Sequence, residues 1–234
     1  MDELKIDSVS AIVGASLGGC TALCMAAQRP ERVNRLLAVS CTAKTSAGST
    51  ALRHVQRDAI RLDPLYKKGF YSSDAPPLAG LRLARQLGMI TYRSLEEFSE
   101  RFEHHAKAPI EFAEKLTFDV ERYLRYKSEQ FAGVYDANCF LTMSLCSDLM
   151  DLSRNQESFA KGIGRIDAKT LIIGVANDII IPFDEQYKLY SVMKALGKDV
   201  ELSKYYSIYG HDAFFVDDHF FLPKIRTFLS GALL

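Results

Sequence analysis

The feature that most narrows what this chain can become is the run Val13-Gly14-Ala15-Ser16-Leu17-Gly18-Gly19, which centres Ser16 in Gly-x-Ser-x-Gly. Ser10-Ala11-Ile12-Val13 before it reads as a short buried strand, and residues 18 to 26 after it read as an apolar helix. A serine on so sharp a strand-to-helix turn brings two backbones together, so a side chain at Gly14 or Gly18 is expected to crowd the turn. The same turn puts Ser16 at the positive end of a helix, with the Leu17 amide aimed at any oxyanion formed on an attacked carbonyl. Gly-x-Ser-x-Gly by itself also occurs in ordinary loops, and it is the flanking strand and helix that set this one apart.

A serine nucleophile needs a base, and the base needs an acid to orient it. Residues 169 to 175 form an apolar strand that runs into Ala176-Asn177-Asp178, which places Asp178 at a strand's carboxyl end. Residues 199 to 206 again look extended, and the loop after them carries Gly210-His211-Asp212. Ser16, Asp178, His211 is the chain order of α/β-hydrolase sites, different from the orders in the chymotrypsin and subtilisin folds. Asp184 is the competing acid, but it follows Pro182 at the start of an apparent helix, where an N-cap role accounts for it. His54, His104, His105 and His219 stand in charged, helix-like surroundings and read as solvated or capping residues; none shows metal-ligand spacing.

The fold class that follows is α/β, a parallel sheet of the α/β-hydrolase type, of which this chain holds the C-terminal half. Residues 1–45 and 156–234 are expected to form the core, and residues 46–155 an inserted helical lid. Within the insertion Ala51, Leu52, Val55, Ala59 and Ile60 follow helical spacing, as do Leu95, Phe98 and Phe102, and residues 140 to 145 suggest a further helix. These stripes read as core packing, and Ser72-Ser73-Asp74 with Pro76-Pro77 reads as a loop between helices. Equal numbers of basic and acidic residues, 29 each, argue against nucleic acid or an anionic membrane as the main partner. Five cysteines without Cys-x-x-Cys suggest reduced thiols and a cytoplasmic setting, with Cys20 and Cys24 as packing residues behind the turn. No stretch has the length of a membrane span or the form of a signal peptide.

Several longer blocks carry a resemblance. GASLGG followed by Ala22-Leu23, RPERV at 29–33, GLRLARQLGMITYRS at 80–94, YLRYKSEQF at 123–131, DAN at 136–138 and YGHDAFFVDD at 209–218 resemble the homoserine O-acetyltransferase family over almost the whole chain. That family also includes serine and homoserine succinyltransferases. The resemblance implies acetyl transfer from acetyl-CoA, a co-substrate rather than a bound cofactor, through the serine to the hydroxyl of homoserine, in methionine biosynthesis. It also implies that Arg85 and Tyr92 bind the acceptor, that Asp212 holds its ammonium group, and that the enzyme is a homodimer through the helical lid. Arg85 and Tyr92 lie about 700° apart on a helix, roughly 20° short of two turns, so they face the same space if the helix continues through Gly88. An arginine fork suits a carboxylate. The alternative is that Arg82, Arg85 and Arg93 form a solvated basic face making ordinary surface pairs.

Transfer rather than hydrolysis requires that water be kept from the acyl-serine, which is the role the sequence gives to the helical insertion. The departure from the family is at the front, where the serine turn arrives after a single strand. The expectation is therefore a missing N-terminal segment or subunit, which would carry the second oxyanion donor, worth about 3–4 kcal/mol of barrier, and would cover an otherwise open sheet edge. A non-catalytic or split-gene fragment, a related succinyltransferase and a plain esterase are the alternatives.

Overall fold

The computed structural model describes residues 1–102 and 118–231, in two compact units: residues 1–46 with 149–234, and residues 47–148. The first is the sheet unit. Its strands β1 (Ile12–Ala15), β2 (Arg35–Val39), β3 (Lys169–Val175) and β4 (Val200–Tyr205) lie in the order β1-β2-β3-β4, all parallel. The expected α/β class and parallel sheet are borne out. The strands are as apolar as they are because helices cover both faces, so residues pointing either way must leave water. Along β2 and β3 the faces alternate: Leu36, Ala38 and Ile172 join one core with α1 (Leu17–Gln28), α7 (Phe159–Gly164) and α8 (Phe183–Ala195). Leu37, Val39, Leu171, Ile173 and Val175 join the other, with α9 (Ala213–Val216) and α10 (Asp218–Ser230). Burying each large aliphatic side chain is worth about 1.5–3 kcal/mol, which is set against about 1–2 kcal/mol to order each backbone residue. β1 is an edge strand, and its Val13 remains 46% exposed.

Residues 149–155 were expected in the insertion but run with the sheet unit. The reason is local pairing: Leu152 N–H donates to Ala43 O at 2.9 Å, Thr45 N–H to Met150 O at 2.9 Å, and Lys44 pairs with Asp151 at 2.9 Å.

The helical unit comprises α2 (Ala47–Arg61), α3 (Leu78–Tyr92), α4 (Leu95–Arg101), α5 (Asp119–Ala132) and α6 (Ala137–Asp148). Its core joins Ile60, Leu81, Ala84, Ala132, Ala137 and Leu141. The apolar stripe expected along α2 is only partly internal: Ile60 is fully buried, but Val55 is 55% exposed. The buried face of α2 instead carries Ser49, Arg53, Gln56 and Arg57. Arginines can be internal there because Asp148 pairs with both, Arg53 at 2.6 Å and Arg57 at 2.5 Å, and Ser144 Oγ accepts from Arg57 at 2.8 Å. No helix among the described residues is long and apolar enough to cross a membrane.

Candidate active site

Ser16 follows β1 and precedes α1 with φ 52° and ψ −124°. A non-glycine residue with positive φ is strained by about 1–3 kcal/mol. The strain is held from both sides, since Ser16 N–H donates to Val39 O at 2.9 Å and Ser16 O accepts from Cys20 N–H at 3.0 Å, the first bond of the helix. Gly14 is required here, because a Cβ on it would lie 2.4 Å from Gly18 O. Gly18 corrects the expectation: a Cβ there meets nothing within 4 Å, and the second crowded glycine is Gly19, whose Cβ would lie 2.7 Å from Cys41 Cβ. The turn presses Gly19, not Gly18, onto Cys41 in the loop after β2. Leu17 opens α1, so its N–H is among those a helix leaves without an internal acceptor.

Asp178 lies in the loop after β3, and His211 in the one-turn helix Gly210–Asp212 after β4. The structure brings the two together with Ser16. His211 Nε2 lies 2.8 Å from Ser16 Oγ, and His211 Nδ1 lies 2.6 Å from Asp178 Oδ2. The tautomer that serves both contacts carries its proton on Nδ1, donating to the carboxylate, and accepts from the serine hydroxyl at Nε2. The side chains of Asp178 and His211 are 0% and 5% exposed.

Two features of this cluster were not read from the sequence. Asp178 Oδ1 accepts from the N–H groups of Ile180 and Ile181, at 3.0 and 2.9 Å, which fixes the carboxylate so that Oδ2 is left for the histidine. An aspartate opening a turn two residues before its own acceptor contacts is a legible signal. Phe214 sets its ring edge-on to the imidazole, with centroids 5.6 Å apart and planes at 84°. It lies three residues after His211, a spacing that joins side chains over one helical turn.

Asp184 is not an N-cap. Pro182 takes that position in α8, and Asp184 sits in the first turn, where its charge suits the helix dipole. His54 pairs with Asp58 at 3.2 Å, His219 Nε2 lies 3.3 Å from Tyr205 Oη, and His104 and His105 lie outside the described residues. Among the described residues no group of three or more His, Cys, Asp or Glu could hold a metal ion. Cys20 is buried and Cys24 half-buried, with Cys24 Sγ 3.5 Å from Met150 Sδ.

Of the expected acceptor-binding residues, Asp212 belongs to the sheet unit, beside His211, and is half-buried. Arg85 and Tyr92 belong to the helical unit, on α3, which runs unbroken through Gly88. Arg93 makes an ordinary pair with Glu97, at 3.6 Å. Arg85 does not: its Nε is buried with no hydrogen-bond partner, and its guanidinium lies over the Phe131 ring, 4.7 Å from the centroid.

The sequence pattern described as the alpha/beta hydrolase fold matches residues 1–218. The chain belongs to that family. This α/β-hydrolase-fold protein is 36% identical over 232 residues to a serine O-succinyltransferase of Litchfieldella anticariensis, covering 97% of this chain and 63% of the relative. It is 36% identical over 231 residues to a homoserine O-acetyltransferase of Trichlorobacter lovleyi, covering 98% of this chain and 62% of the relative. The resemblance read from the sequence blocks is thereby borne out. Among solved structures, homoserine O-acetyltransferase from Bacillus anthracis superposes with a TM-score of 0.89 at 25% identity, over 97% of this chain and 61% of that one. Esterase E22 superposes at 0.90 with 23% identity, a likeness of fold. The chain thus spans less than two thirds of the length of these relatives.

Proposed function

We propose that this α/β-hydrolase-fold protein is an acyltransferase that moves an acetyl group from acetyl-CoA, through an ester on Ser16, to the side-chain hydroxyl of homoserine. The observation that carries the reading is the hydrogen-bonded chain from Ser16 through His211 to Asp178, at 2.8 and 2.6 Å. In the first half-reaction His211 Nε2 takes the Ser16 proton as Oγ attacks the thioester carbon. The Leu17 N–H stabilises the oxyanion. The tetrahedral intermediate expels the CoA thiolate, which takes the proton from His211 and leaves acetyl-Ser16. In the second half-reaction His211 accepts the acceptor's hydroxyl proton as that oxygen attacks the acetyl carbon, and returns a proton to Ser16 Oγ as the ester forms. Asp178 holds the imidazole in the required tautomer throughout and stabilises the imidazolium.

The acceptor assignment comes from the resemblance to the acetyltransferases. Arg85 and Tyr92 take the carboxylate of homoserine and Asp212 its ammonium group. Unpaired buried Nε on Arg85 supports this, since a guanidinium without an acidic neighbour is free for a ligand carboxylate.

Serine with succinyl-CoA is the second pairing, favoured by the 36% identity to a serine O-succinyltransferase. A matrix of acetyl-CoA and succinyl-CoA against homoserine and serine, followed by thiol release, separates the two. Release that requires homoserine and acetyl-CoA supports the first reading; release that requires serine and succinyl-CoA replaces it with the second. Continued release beyond one equivalent per Ser16 with no acceptor means hydrolysis, and no release under any pairing refutes an active acyltransferase. Ser16→Ala should abolish turnover with the far-UV spectrum unchanged, and retained turnover would remove Ser16 from the mechanism.

A further inference from the structure

On α3 both Arg82 and Arg85 keep a buried Nε without a hydrogen-bond partner, and Arg85 in addition lies over an aromatic ring. Arg53 and Arg57 share Asp148, and Arg93 and Arg101 share Glu97. Arg85 has no hydrogen-bond or ion-pair partner among the described residues, and its Nε is buried. What fixes it is a ring: the guanidinium carbon stands 4.7 Å from the Phe131 centroid, within the range in which a cation is attracted to an aromatic face.

The ring is itself fixed. Phe131 stacks on Tyr135, with centroids 4.7 Å apart and planes at 20°, and meets Phe140 edge-on at 6.3 Å and 82°. The register of α3 on α5 that brings Arg85 over Phe131 is set one residue further along. Gln86 Nε2 donates to Ser128 Oγ at 3.1 Å, and Ser128 Oγ donates to Arg125 O at 2.9 Å. Ser128 is fully buried, and Phe131 follows it by three residues, the next position on the same face of α5.

A long flexible cation loses rotamer entropy whenever a ligand immobilises it. A guanidinium already held against a ring has lost part of that freedom beforehand. A contact with the ring face takes up no N–H donor, so the N–H fork stays available for a planar anion.

We propose that Phe131 is a positioning residue for the acceptor: it holds the Arg85 guanidinium in place against its ring, so that Arg85 selects ligands carrying a carboxylate. This rests on the reading of Arg85 as the acceptor's carboxylate partner. The effect of Phe131 should fall on acceptor affinity and leave acylation of Ser16 alone.

The test is calorimetric binding of L-homoserine and of homoserinol, in which CH2OH replaces the carboxylate. It uses the full chain, its Phe131→Leu, Phe131→Tyr and Gln86→Ala variants, and a parallel measurement of the p-nitrophenyl acetate burst. Wild type should prefer homoserine. In Phe131→Leu the preference should fall by about 3- to 30-fold, the range of a cation–π contact, with the burst unchanged; Phe131→Tyr should restore it. Should Phe131→Leu lose its helical signal, Gln86→Ala stands in, since it frees the α3–α5 register while leaving the aromatic cluster whole; a smaller fall in the same direction is expected. An unchanged preference in a folded Phe131→Leu, or in Gln86→Ala where that variant stands in, overturns the proposal while Arg85 keeps its role. A wild type that binds both ligands equally, or neither, overturns the Arg85 reading and the proposal with it.

Discussion

Replacing Asp178 by asparagine tests the hydrogen-bonded chain at its most determined point. The side chain has two distinguishable oxygens: Oδ1 accepts from Ile180 and Ile181 N–H at 3.0 and 2.9 Å, and Oδ2 faces His211 Nδ1 at 2.6 Å. An amide could be placed either way round. Turning its NH2 toward Ile180 and Ile181 would set donors against two buried donors, at about 1–3 kcal/mol each, or roughly 2–6 kcal/mol in all. The amide oxygen therefore stays on the backbone N–H groups, and the NH2 falls where Oδ2 was. It then donates to Nδ1, which forces the ring proton to Nε2 and leaves His211 with a donor facing Ser16 Oγ. A histidine in that tautomer cannot take the serine proton. The same substitution in a serine protease lowers kcat by about 10⁴, close to 5.5 kcal/mol of barrier. The assay is the pre-steady-state burst of p-nitrophenol from p-nitrophenyl acetate, which reports acylation of Ser16 without an acceptor. Because both backbone contacts survive, the thermal midpoint should hardly move. A burst rate within about tenfold of wild type would show that this chain of hydrogen bonds does not drive acylation.

The other predictions concern packing and thiol chemistry. Gly14→Ala should destabilise by about 1–3 kcal/mol or more, because its Cβ meets Gly18 O at 2.4 Å, whereas Gly18→Ala should be neutral or stabilising in a denaturant titration; the reverse order would contradict the described turn. Asp148→Asn should cost about 3–5 kcal/mol, since it leaves Arg53 and Arg57 buried without their shared anion, and a change below 1 kcal/mol would mean that solvent reaches the pair. A hydrogen bond to Asp136 raises the Cys139 thiol above its ordinary range. A raised value means less thiolate at neutral pH, so Asp136→Asn should speed iodoacetamide labelling of Cys139 at pH 7–8, and a slower rate would reverse the assigned cause.

Three strands of the sheet unit were legible because each carries its own evidence, whereas β2 was not read, although Leu36, Leu37, Ala38 and Val39 form an apolar run of the same kind. Residues 171–175 are apolar on both faces, which only a doubly covered strand tolerates, and the structure has β3 over Lys169–Val175. The helical unit was less so. Val55 and Leu95 keep helical spacing yet are 55% and 74% exposed, while Arg53 and Arg57 are inside. Hydropathy places an arginine in water unless a carboxylate meets it, and that carboxylate, Asp148, lies at the far end of another helix in the sequence. The glycine reading failed by one position for a similar reason. Both Gly18 and Gly19 fit the motif, and only the approach of Cys41 from β2's loop decides which of them is pressed.

The cluster of Ser16, Asp178 and His211 follows from strand direction more than from any one contact. In a parallel sheet every carboxyl end lies at the same rim, so residues after β1, β3 and β4 share one edge of the sheet whatever their separation in sequence. Register then sets the spacing: Ala15 opposite Val39, Val39 opposite Ile173, and Val175 opposite Tyr205 bring the three loops level. A slip of one residue in any ladder would exchange the strand's two buried faces, moving Leu37 and Ile173 into the core that fits Ile172 and the reverse, and the misfit of these side chains opposes that. The geometry that sets His211 against Ser16 is thus maintained by the same apolar residues that make the strands strands. It is also confined to the sheet unit, which is why acylation and acceptor choice are expected to respond to different substitutions: Asp178→Asn on the first, Phe131→Leu on the second.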